Sequence, residues 1–285
     1  MHFNRFTGKY EKCEDNEKKL DYEMNYNSRM KRTSTEKSKI TNAIKQIFDV
    51  SNNTKEKLLE DLFSMNANDS SEEIITLYNA TESFMERVDA TKDEQLKIIK
   101  RVALLLLLEN QNSDSESSYN IAEPAIYSLK TKEFWDSTDV KLSSLLIGHT
   151  IDFKSTKAFL EIIIKEARKN KDLDSELTSC INVMRRLVII KHIELEYSPL
   201  EKDTTLEEVT QFFNFCLETA NKILDENNFP VFKAISLLRE GIFFEDDEKI
   251  NNSLETLEKL GNEELFTMLR KEIDDIFGNN GQDAI

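Results

Sequence analysis

Few side chains in this sequence have types and spacing that could do chemistry. His149 and His192 are the histidines of its main body, and Cys180 is the thiol nearest either in sequence. No HExxH, GxSxG or GxGxxG run occurs, and no Walker-type loop, because the six glycines stand apart from one another. Cradling a phosphate takes glycines in series, and a zinc hydrolase takes histidines one helical turn apart. His192 and Glu196, i and i+4, offer two metal ligands at most, and a surface hydrogen bond is the simpler role. Cys180 and His192 share one helical stretch twelve residues apart, so about 18 Å separates them and they cannot form a nucleophile–base pair. We therefore expect no catalytic residues, no bound metal and no cofactor, and read the chain as a non-enzyme.

What is left is a polar cluster in an apolar stretch. Asn182, Arg185 and Arg186 interrupt Ile181, Val183, Met184, Leu187, Val188, Ile189 and Ile190. A helix apolar nearly all round is central to its fold, and polar groups within it must be paired or must face a wet groove. Asn182 stands i, i+3 from Arg185 and i, i+4 from Arg186, so it can share a face with either. On a concave surface, an asparagine could hold a peptide backbone while an arginine takes a carboxylate. The alternative is internal ion pairing between layers, with Glu161, Glu166 or Glu218 as partners.

These residues need elements to position them, and helical periodicity runs almost unbroken from residue 35 to 277. Ser34/Thr35 caps a helix carrying Ile40, Ile44, Ile47 and Phe48. Thr54 opens a second, the run Asp69-Ser-Ser-Glu-Glu is the capped start of a third, and Thr91 caps a fourth. Asn110 to Ser118 is a polar loop. Beyond it, helices are predicted at 119–130, 137–150, Lys154–Lys169, Leu173–Tyr197, Leu206–Glu226, Val231–Phe244 and Asp246–Lys259. Gly261 stops the last of these, and Asn262 begins a final helix that ends near Phe277. About twelve helices with short connections must pack as antiparallel hairpins. The expected fold is all-α, with stacked hairpins in a tetratricopeptide-like right-handed superhelix, since the hairpin spacing of about 35–45 residues is that of such repeats. An irregular helical bundle is the alternative. The domain reading is a polar, mildly basic head at 1–34, a helical-repeat domain at 35–277 and a flexible tail at 278–285.

Composition agrees with helices. Six glycines and three prolines in 285 residues are too few for the tight turns of an all-β fold. The net charge of -16 is uneven: residues 1–45 carry a net +4 and the remainder a net -20. A body so acidic repels nucleic acid, which needs clustered cations. The basic run Arg29-Met-Lys31-Arg32 is too short for a footprint. The three cysteines, Cys13, Cys180 and Cys216, form no CxxC pair, which fits a reducing compartment. The apolar run Val102–Leu108 is too short to span a bilayer, and no secretory signal opens the chain. A cytoplasmic protein that does not enter membranes is expected.

From 119 to 277 the chain resembles the C-terminal domain of the Rgg/GadR/MutR-type transcriptional regulators. The segments carrying the resemblance are Phe134-Trp135, Lys141-Leu-Ser-Ser-Leu-Leu-Ile-Gly-His-Thr150, the amphipathic stretch Thr156–Lys169 and Met184-Arg-Arg-Leu-Val-Ile-Ile190. Ile235-Ser-Leu-Leu-Arg-Glu-Gly-Ile-Phe243 and Leu257-Glu-Lys-Leu-Gly-Asn-Glu-Glu-Leu265 complete the set, and a weaker likeness extends up to residue 54. The resemblance implies a cytoplasmic receptor for a short signalling peptide in quorum sensing, dimeric, with the peptide on a concave helical face. Asn182, Arg185, Arg186 and His149 are the expected peptide contacts. It also implies a helix-turn-helix head, which residues 1–45 do not display, so DNA binding is left open for this chain, an intact DNA-binding regulator with a basic head being a third reading. The competing expectation is an acidic helical scaffold for protein–protein interaction, without peptide signalling or DNA binding.

Overall fold

The computed structural model describes residues 2–4, 9–11, 54–65, 70–110 and 115–278. The expected helix over 35–50, most of the head, Cys13 and the tail after 278 lie outside the described residues. Among the described residues, every regular element from residue 54 onward is a helix. Near the start, β1 (His2–Asn4) pairs antiparallel with β2 (Lys9–Glu11), Phe3 opposite Tyr10, a ladder the polar composition of the head did not announce.

The chain divides into two compact units, Met1–Ala125 and Ile126–Ile285. In the first, α1 (Lys55–Ser64) packs against α2 (Ser71–Arg87) and α3 (Glu94–Asn110). Thr54 caps α1 as its position suggested, through Lys57 N–H. Within the expected capped start, Ser70 caps α2, in a reciprocal box with Glu73. Asp93 replaces the expected Thr91 at the start of α3, accepting from Leu96 N–H, and the same carboxylate holds Lys55 at 2.8 Å. Leu58, Leu62, Ile74, Leu77, Ile99 and Val102 are among the residues closing this core. The polar loop expected at 110–118 shortens, because α4 (Ser115–Lys130) already begins at Ser115.

The second unit contains α5 (Ser137–Leu146), a 3-10 turn (Ile147–His149), α6 (Phe153–Asn170), α7 (Leu173–Ile189), α8 (Leu206–Glu226), α9 (Pro230–Phe244), α10 (Asp247–Lys259) and α11 (Glu263–Gly278). Caps account for most of these boundaries. Asp172 caps α7, Thr205 and Glu208 form a box at α8, Pro230 occupies the first turn of α9, and Asp246 caps α10. Gly261 ends α10 with φ +73°, where a residue with Cβ is strained. Gly241 permits a close approach of α9 and α10: a Cβ placed on it would lie 3.0 Å from both Cγ1 and the backbone nitrogen of Ile250.

α7 is the centre of this unit and packs against α5, α6, α8 and α9. Eleven of its seventeen residues are buried, which is the all-round burial its apolar run implied. It does not continue as one regular helix to Tyr197. Ile190–Glu194 form a π turn, and Leu195–Tyr197 resume the α form. Such wide turns re-aim the residues that follow them and concentrate at functional positions.

Candidate ligand-binding site

Consecutive residues on a helix point about 100° apart, so Arg185 and Arg186 must serve different neighbours. Arg186 turns inward, its side chain 0% exposed. Nε donates to Thr150 O at 3.0 Å, and Nη2 donates to Ile151 O at 3.3 Å and to Glu194 Oε2 at 2.7 Å. Thr150 shares a 2.6 Å hydroxyl hydrogen bond with Thr156, and Phe153 N–H donates to buried Glu201 at 2.9 Å. One guanidinium thus fastens the connection between α5 and α6 onto α7. Burial pushes the Glu201 carboxyl upward, partly offset by hydrogen bonds from Thr204 and Phe153 and by the charge of Arg186. The expectation that Arg186 contacts a peptide is corrected here. Nε and Nη2 are committed to the interior, because a charge on the inward face of a core helix must be neutralised there.

Asn182 sits half-buried and donates from Nδ2 to Ser144 O at 2.8 Å, joining α7 to α5. The 3-10 turn carrying His149 lies against it, since a Cβ on Gly148 would be 3.9 Å from Asn182 Cβ. His149 itself is half-buried. The structure therefore gathers Asn182, Arg186 and the His149 turn on one side of α7.

Arg185 goes elsewhere. Its Nε lies 3.3 Å from Glu272 Oε2 of α11. Arg239 of α9 grips the same carboxylate with both terminal nitrogens, Nη1 at 2.5 Å from Oε1 and Nη2 at 3.0 Å from Oε2. Arg185 keeps 37% of its side chain exposed, against 4% for Arg239 and 13% for Glu272. Burial pushes the Glu272 carboxyl up, but Arg239 and Arg185 outweigh it and hold the group below the ordinary 4.5. Arg239 lies deep in this cluster, and Arg185 forms its solvent-facing edge. The suggested internal partners Glu161, Glu166 and Glu218 are replaced by Glu194 and Glu272. Glu166 holds Lys169 instead.

The π turn was invisible in the sequence because its apolar pattern matches that of the helix before it. It places Lys191 on the last carbonyl groups of α9: Nζ donates to Phe243 O and lies 3.2 Å from Glu245 Oε1. His192 Nε2 lies 3.2 Å from Ile242 O; a carbonyl only accepts, so Nε2 carries the proton. The ring meets Phe277 edge-on at 5.5 Å. Burial, then the charge of Lys191, lowers the basicity of His192. Cations and ring donors at a helix C-terminus satisfy its terminal carbonyls.

Burial pushes the Cys180 thiol up to about 12, with Glu176 adding to it, and holds Cys216 well above its ordinary value. Neither is a ready nucleophile in this state. Among the described residues, no group of three or more His, Cys, Asp or Glu is placed to hold a metal ion, and no helix is long and apolar enough to cross a membrane. A groove of about 520 Å³ runs between α9 and α10 past Lys233, Leu237, Lys249 and Asn252, and one of about 240 Å³ lies by Lys154, Lys157 and Glu208. Neither groove contains any of the four residues singled out from the sequence. Of those four, Arg185 is the cation left with substantial access to solvent. No protein-family model matches the chain, and no curated protein or solved structure is detectably similar to it.

Proposed function

We propose that the second unit is the sensing module of a cytoplasmic regulatory protein of the Rgg kind, which takes the carboxylate end of a short signalling peptide at Arg185. In this reading the hairpins stack as a tetratricopeptide-like right-handed superhelix, the protein is a homodimer, and it catalyses no reaction. Binding changes how neighbouring helices pack and so biases the dimer. The observation that carries the reading is the Arg185 guanidinium, which keeps 37% of its side chain exposed beside the Arg239–Glu272 pair. A guanidinium fork is well matched to a carboxylate, and a solvent-accessible guanidinium in an acidic body offers a place for an anion.

The test is fluorescence polarisation with short labelled hydrophobic peptides, each made with a free C-terminus and as its amide. Free-acid peptides should bind and amides should bind at least about tenfold more weakly, the loss expected for a charge-assisted contact. Equal binding of the two forms would remove Arg185 as the contact. The net charge of -20 beyond residue 45 supports a second reading, an acidic scaffold for a basic partner protein. Association that weakens steeply with added salt, with no response to peptide, would favour it.

A further inference from the structure

α11 is held differently from the rest of its unit. Among its residues with described side chains, only Leu269 and Ile276 are fully buried, whereas α7 buries eleven. Leu269, Glu272 and Ile276 fall three and four residues apart, so the most buried stripe of the helix has a carboxylate at its middle, with Phe277 against His192 beside it. That carboxylate meets Arg239 in the two-pronged geometry a guanidinium makes with any carboxylate, and Arg185 closes over it. Arg239 Nε, also buried, has no hydrogen-bond partner among the described residues, so the pocket has more donor capacity than Glu272 uses.

We infer that Glu272 is the internal occupant of a carboxylate site built by Arg239 and Arg185, and that an external carboxylate ligand takes this site by displacing α11. The inference rests on the peptide-carboxylate reading above and adds a resident competitor to it. Detachment of α11 alone would strip the counter-charge from an enclosed guanidinium, which is strongly unfavourable. Exchange of one carboxylate for another keeps the charge balance, so release is coupled to ligand. The tethered Glu272 competes at the high effective concentration of an intramolecular group, and apparent ligand affinity falls by the fraction of sites it occupies.

The experiment uses the full chain, a labelled hydrophobic heptapeptide with a free C-terminus, and hydrogen exchange read along the backbone. Glu272→Gln removes the competitor while keeping the side chain's size, and should bind the peptide about tenfold more tightly than the parent. Leu269→Ala loosens α11 without touching either arginine and should also tighten binding. Saturating peptide should speed exchange across 263–278 in the parent while α7 and α9 stay protected. Equal peptide affinity in all three proteins, or unchanged protection of α11 at saturation, overturns the inference. Binding to none of them defeats the peptide reading instead. The hold of Glu272 on α11 is then decided by the unliganded proteins: exchange across 263–278 must be faster in Glu272→Gln than in the parent, and equal rates overturn the inference.

Discussion

Arg185 and Arg186 are neighbours in sequence and opposites in setting. Arg186 is enclosed, paired with Glu194, and also donates to two backbone carbonyls of the α5–α6 connection. Arg185 is partly exposed and shares a single carboxylate with Arg239. The first arrangement ties elements together in the interior; the second keeps part of its guanidinium facing solvent. A hundred degrees of helix rotation thus separates a structural cation from one that a ligand can reach. The lesson is that residue type at a position says little until the burial of the side chain and the elements it reaches are known.

The largest effect should come from the enclosed arginine. Arg186→Ala strands Glu194 and frees two carbonyl oxygens, and should cost about 3–5 kcal/mol in urea unfolding. A loss below about 1 kcal/mol would erase the contrast with Arg185. Glu272→Gln should cost about 1–3 kcal/mol near neutral pH, since it leaves Arg239 without its anion. The pH dependence of that gap carries a definite sign. A carboxyl whose folded value lies below its ordinary 4.5 contributes stability that is full above 4.5 and is lost as pH falls through the folded value. The parent should therefore exceed Glu272→Gln by a constant margin from neutral pH down to about 4.5, with the margin closing in stronger acid. A margin that widens with acidification would contradict the paired state of Glu272. Asn182→Ala removes one hydrogen bond to Ser144 O and should cost about 0.5–1.5 kcal/mol by thermal or urea unfolding. Arg185→Gln should be mildest, within about 1 kcal/mol, because its pairing is partly exposed.

Local rules explain what the sequence disclosed. Helix starts at Thr54, Thr205 and Asp246, and the stop at Gly261, follow from cap chemistry confined to a few residues. The central place of α7 followed from its apolar run. Asn182, Arg185 and Arg186 were visible as anomalies in that run, but their partners were not. Glu194 lies eight residues beyond Arg186 across a π turn, outside the i+3 and i+4 neighbours of a regular helix. Glu272 and Arg239 come from α11 and α9, and only tertiary packing brings them to α7. The Thr91 cap failed because Asp93, two residues on, offers both a cap and an ion pair with Lys55. The π turn itself has no periodicity signal of its own.

The most direct test of the contrast between the two arginines is one titration series. A free-acid peptide and its amide are titrated by fluorescence polarisation into the parent and into Arg185→Gln, with both proteins shown to be folded by urea unfolding. The predicted result is that the parent prefers the free acid by about tenfold and that Arg185→Gln, equally stable within about 1 kcal/mol, loses that preference. A preference that survives intact in Arg185→Gln would contradict the assignment of Arg185 as the ligand-facing arginine.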